Sequence, residues 1–185
     1  MGNLLPSLFA VPFAVYGCWW MFSHGVMGGF GLLMLGLSPP AGWISVNFLG
    51  LYQNRAMRKE MALRLRSAMD HPPYRRYFVG AATPAFRGLL DPHEDIGFIL
   101  LHPDRVEFFG EKLHVNLLKS EVTHIRVRPN VHSMVGLGRW VSIEAMVNGK
   151  PGRLMLEIRE RPTLLGNLRM SRTLLKKLQQ WKETG

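Results

Sequence analysis

Asp91-Pro92-His93-Glu94-Asp95 gathers one imidazole and three carboxylates within five residues. These groups would hold a metal only if several converged on one point, and adjacency along a chain does not bring that about. A side-chain-capped turn leading into the next strand is the simpler use of such residues, so no metal is expected. Glu107, Glu111, Glu144 and Glu157 fall in strand-like segments, with nothing in the sequence pairing two of them as acid and base. His102, His114 and His124 fall on different strands and read as polar-face residues. The sequence holds no P-loop, nucleophile elbow, His-Glu-x-x-His helix or Cys-x-x-Cys pair. The expected protein is not an enzyme and uses no cofactor.

Binding residues are easier to find. Arg55, Arg58, Lys59, Arg64 and Arg66 crowd into a short stretch with only Glu60 opposing them. Cations so placed beside an apolar segment suit anionic lipid headgroups, at ~1 kcal/mol each when near the surface. A second candidate is the connection from Arg128 to Trp140. It carries Val131, Met134, Val135 and Leu137 among glycines, flanked by Arg128 and Arg139. Apolar groups on a loop serve to enter a headgroup layer or dock a partner, or else fold back as a lid.

The elements that must position these residues divide sharply. Residues 1–54 contain no Asp, Glu, Lys or Arg, so the net charge of +10 belongs wholly to residues 55–185. Such a balance seeks an anionic partner. Without zinc-finger spacing or RNP-type aromatics, lipid is expected rather than nucleic acid. An uncharged stretch of this length can hold two membrane helices of ~20 residues. Gly36-Leu37-Ser38-Pro39-Pro40-Ala41-Gly42 is the stronger breaker, giving helices over about 8–36 and 40–56. A competing reading turns at Ser23-His24-Gly25 and kinks the second helix at the prolines; it would bring Trp19 and Trp20 near an interface. A third has one long span continued by a surface helix. The arginines past the apolar region place that flank in the cytoplasm, so the remainder of the chain is expected on the cytoplasmic side of an inner membrane. The lone Cys18 excludes a disulfide within the chain. His24 has no carboxylate neighbour in the span and reads as a neutral hydrogen-bonding group.

Residues 55–73 read as a basic connector helix, with Met57, Met61, Leu65 and Met69 every four residues and a stop at Asp70-His71-Pro72-Pro73. Its methionines could pack on the adjoining domain while its arginines meet water or lipid. From 74 onward the period changes to two. Strands are expected over 95–102, 105–109, 112–117, 122–128, 139–147 and 153–159, with a weaker candidate at 77–81. Asn148-Gly149 marks a hairpin. A helix over 163–182 would present Leu174, Leu178 and Trp181 to the strands.

The expected fold class is therefore α+β: a transmembrane helical hairpin, then an antiparallel β-barrel or sandwich capped by an amphipathic helix. The strand run GFILLHPDRVEFFGEKLHVNLLKSEVTHIRVRPN and that C-terminal helix together resemble the pleckstrin-homology-like (PH-like) superfold, and in particular bacterial membrane-anchored GRAM-like domains. The resemblance covers about residues 77–182 and rests on architecture. It implies an adaptor that binds lipid headgroups or a protein at the membrane. The loop that carries phosphoinositide recognition in PH domains is here His102-Pro103-Asp104, short and partly acidic, which departs from that pattern. The alternative expectation is a structural or accessory subunit of a larger membrane complex.

Overall fold

The computed structural model describes residues 8–25, 29–65, 75–85 and 93–184. The chain divides into two compact units, Met1–Tyr52 and Gln53–Gly185.

The first unit is a pair of antiparallel helices, α1 (Val11–His24) and α2 (Gly29–Leu49). Their closest approach is at two glycines. A Cβ on Gly17 would lie 2.9 Å from Leu35 Cγ and 3.0 Å from the Gly31 carbonyl oxygen, and one on Gly31 would lie 2.6 Å from Met21 Cγ. Backbones this close require residues without side chains. Ser38 donates to the Ala10 carbonyl at 3.0 Å, joining the other end of the pair. The helix boundaries correct the expected turn at 36–42: Pro39 and Pro40 lie inside α2, and α1 ends at Gly25, with φ of 81°. Prolines within a helix forfeit two amide donors, whereas breaking there would free about four groups at each new end. Gly25 adopts a conformation that side chains resist, and the break falls there. The helical stretch Gly29–Arg64 contains an 18-residue run long and apolar enough to cross a membrane, by length and composition. The 14 residues of α1 are short for a span.

The second unit begins with α3 (Asn54–Arg64) and continues as seven antiparallel strands: β1 (Arg75–Ala82), β2 (Asp95–Leu101), β3 (Arg105–Gly110), β4 (His114–Leu118), β5 (Val122–Arg128), β6 (Trp140–Val147) and β7 (Lys150–Ile158). It ends with α4 (Leu164–Glu183). The order across the sheet is β4-β3-β2-β1-β7-β6-β5. The seven strands form one open sheet with β4 and β5 as its edges, and this corrects the expectation of a barrel or sandwich. Asn148 and Gly149 both take positive φ, 51° and 74°, as a two-residue hairpin turn demands.

One face of the sheet holds the main core. Val79, Ile99, Phe108, Val141, Ile143, Leu154 and Leu156 are fully buried there with Leu174 and Leu178 of α4. Thr163 caps α4 by accepting from the Gly166 amide. Trp181 donates from Nε1 to the His102 carbonyl at 2.6 Å, fixing the far end. Gln179 and Lys182 donate to the Ile125 and Thr123 carbonyls of edge strand β5, covering groups that would otherwise accept another strand. The other face carries a smaller cluster, Phe78, Phe98 and Leu100, with Met57 and Met61 of α3 and the following Leu65 packed on it. Met57, Met61 and Leu65 of the apolar stripe thus dock on the outer face of β1 and β2, and Met69 lies outside the described residues. Strand β1 is buried on both faces, which explains why its sequence lacks clear alternation.

Candidate functional site

Strand β7 alternates around Leu154, Leu156 and Ile158, which puts Glu157 on the outer face between them, opposite Gly80 of β1. The connection from β5 to β6 folds over it. Asn130 caps a single 3-10 turn, Val131–Val135, through a reciprocal pair with Ser133, and Gly136 closes it at φ of 70°. This turn drives His132 inward. His132 Nδ1 lies 3.1 Å from each Glu157 oxygen, and Asn130 Nδ2 donates to Oε1 at 2.8 Å. From the other side, His93 Nε2 lies 2.9 Å from Glu157 Oε2, with Trp140 edge-on to its ring. Two glycines make the room. A Cβ on Gly80 would sit 1.9 Å from the His93 ring, and one on Gly138 would sit 2.3 Å from Glu157 Oε1.

Burial alone would raise the Glu157 carboxyl. Hydrogen bonding to His132 and His93, with their charge, reverses that and holds it well below the usual carboxylate range. The result is a buried anion held between two imidazoles. It pins the 128–140 connection and the segment entering β2 to the same strand.

The 91–95 cluster is dispersed accordingly. His93 goes to Glu157. Glu94 accepts from the backbone and hydroxyl of Thr83 at 3.0 and 2.7 Å. Asp95 accepts from the amides of Glu111, Lys112 and Leu113, which form the turn between β3 and β4. Asp91 lies outside the described residues. The strand histidines also part company: His102 meets Glu107 at 3.1 Å, His114 stacks on Phe109, and His124 is exposed.

A second carboxylate on the outer face is held differently. Glu144 of β6 accepts a fork from Arg126 at 3.0 and 2.7 Å and another from Arg128 at 3.2 and 2.7 Å, with Arg153 Nε at 3.3 Å. Cross-strand register puts these side chains on one face: Arg126 opposes Ser142, Arg128 opposes Trp140, and Glu144 opposes Arg153. The Arg128 hydrogen bond is the largest influence on the Glu144 carboxyl and, despite burial acting upward, its value is lowered.

The basic residues of α3 separate into two groups. Arg64 pairs with Glu60 at 2.6 Å and Glu111 at 3.0 Å. Arg58 pairs with Glu160 at 2.7 Å, and together with Arg55, Lys59 and Arg161 it lines a groove of about 440 Å³. Asn54 and Arg159 exchange hydrogen bonds at its base. Arg66 lies outside the described residues. The 128–140 connection also divides. Val131, Met134 and Val135 are exposed, Met134 at 87%, while Leu137 and Trp140 are buried. Arg128 is committed to Glu144, and Arg139 is half-buried.

No family model matches the chain, and no curated protein matches it. Among solved structures, the crystal structure of the C-terminal domain of an unknown protein from Leishmania infantum is similar. Its TM-score is 0.40 and its identity 10%, over 68% of this chain and 97% of that one. Function must therefore be inferred from this chain's own residues.

Three groups of functional interest give no signal in the sequence: Glu157 with His93 and His132, Glu144 with its arginines, and Arg161. The partners of Glu157 are 25 and 64 residues away along the chain, beyond any local spacing rule. Arg161 is silent because only folding brings it beside α3.

Proposed function

We propose that this chain is a non-catalytic adaptor, a PH-like domain held at the cytoplasmic face of an inner membrane by its uncharged N-terminal unit. In this reading the basic side of α3 holds anionic lipid headgroups. The observation that carries it is the division of labour within α3. Its methionines pack on Phe78 and Phe98. Its Arg55, Arg58 and Lys59 line an open groove with Arg161, beginning one residue after the last uncharged position. A helix fixed by its apolar side holds its cations in place, so less side-chain and backbone freedom is lost on binding. An antiparallel run of seven strands followed by a covering C-terminal helix agrees with the PH-like reading. Exposed Val15, Trp19, Phe22, Leu33, Ile44 and Phe48 on α1 and α2 support an apolar environment for the first unit.

Native mass spectrometry of the full chain purified in mild detergent tests the lipid assignment. The expected result is retained anionic lipid on the wild type and its loss from the Arg55→Gln/Lys59→Gln double variant. Equal retention by both proteins would remove lipid binding from this groove.

The same apolar exposure supports a second reading, a structural subunit packed against other membrane chains. A protein that co-purifies at fixed stoichiometry would replace the stand-alone adaptor with that reading.

A further inference from the structure

The outer face of β5–β7 carries a charge imbalance that the fold does not use. Three guanidinium groups, Arg126, Arg128 and Arg153, surround the single carboxylate of Glu144, leaving two positive charges uncompensated within the cluster. Glu144 itself is well shielded, its side chain 13% exposed, whereas Arg126 is 54% exposed and Arg128 and Arg153 about a third. The carboxylate therefore acts as a floor that gathers the arginines, and their outer N–H groups remain open to water. Each guanidinium has five donors in a planar fork, and Glu144 offers only two oxygens to share among three of them. Both the spare donors and the spare charge call for a compact, oxygen-rich dianion.

We infer that this arginine cluster is a binding site for a phosphate monoester, carried on a lipid or on a soluble molecule. A monoester has about −1.5 to −2 charges near neutral pH and three acceptor oxygens, which matches the two surplus charges. A phosphodiester has one negative charge and fewer free oxygens, and leaves the cluster half neutralised. Arginine forks bind phosphate oxygens in pairs, which sets this site apart from a diffuse basic surface. The site lies on β5, β6 and β7 and uses none of the α3 groove residues, so it stands or falls separately from lipid binding in that groove.

The full chain in detergent, titrated calorimetrically with glycerol 3-phosphate and with dimethyl phosphate, gives the test. Tighter binding of the monoester is expected. Arg126→Gln should weaken it about tenfold, the loss of one charge-assisted interaction. Glu144→Gln should tighten it, because the competing internal carboxylate is gone. Arg126 is the most exposed of the three arginines, so its variant keeps the test valid even if Glu144→Gln fails to fold. Nanodiscs containing phosphatidate in place of phosphatidylglycerol form the second arm. Binding there without binding of glycerol 3-phosphate assigns the site to a lipid, and binding of both assigns it to the phosphate group alone. Equal affinity for monoester and diester, an unchanged Arg126→Gln, a weakened Glu144→Gln, or no binding in either arm would overturn the inference.

Discussion

Under α4 the sheet is closed by aliphatic and aromatic side chains, whereas its opposite face is assembled from three unlike patches. Those are the methionines of α3 on Phe78 and Phe98, the buried carboxylate between His93 and His132, and the open arginines around Glu144. The first face gains stability from the area it removes from water. The second spends part of its surface on charge, and its burial is incomplete where Glu144 stands. Two carboxylates on one face teach the difference most clearly. Glu157 is sealed by neighbours of comparable size and fixes two connections in place. Glu144 is matched with more cations than it can neutralise, and this leaves chemistry available to a ligand. A single sheet face thus carries a sealed anion and an open cationic cluster side by side.

The largest effect expected on this contrast comes from the core face. Phe108→Ala should cost about 3–5 kcal/mol, read as a lowered denaturation midpoint of the second unit, because a fully buried ring leaves a cavity beneath α4. Glu157→Gln should come next, at about 3 kcal/mol, since it removes the anion from a buried cluster of ionisable groups. This variant also tests the pH dependence. The folded carboxyl is held below its unfolded value of about 4.3, so its contribution is present above that pH and is lost as the pH falls beneath it. Denaturation midpoints of the wild type should therefore drop on acidification below about 4.3, and those of Glu157→Gln should drop less. Met61→Ala should cost about 2 kcal/mol and speed hydrogen exchange in α3 more than in α4, because Met61 packs on the outer cluster. Smallest of all, Met134→Ser should change stability by less than about 0.5 kcal/mol, its side chain being 87% exposed. A large loss at Met134 would mean that the turn tip is part of the packed structure.

Legibility from the sequence depends on the range over which each signal acts. A strand with one solvated face, such as Val122–Arg128, shows its alternation directly, and the α4 face of Leu174 and Leu178 shows its period. Strand β1 is faint because both its sides are buried and Gly80 must admit His93. The turn in the first unit is misplaced when proline is weighed by its local cost alone, because helix continuation through Pro39 and Pro40 is decided by the bonds on either side. The methionine stripe of α3 is visible in the sequence, but the surface it covers is not. The two carboxylate clusters escape any local spacing rule: that of Glu144 joins β5, β6 and β7 through the sheet register, and that of Glu157 joins β7 to His93 ahead of β2 and to His132 in the β5–β6 connection.

The proposed role depends most on the uncharged first unit lying in a bilayer, with the basic helix beginning where that unit ends. Alkaline carbonate washing of membranes from cells that express the full chain addresses this directly. Retention in the membrane pellet is the predicted outcome, and release of the chain into the supernatant would contradict it.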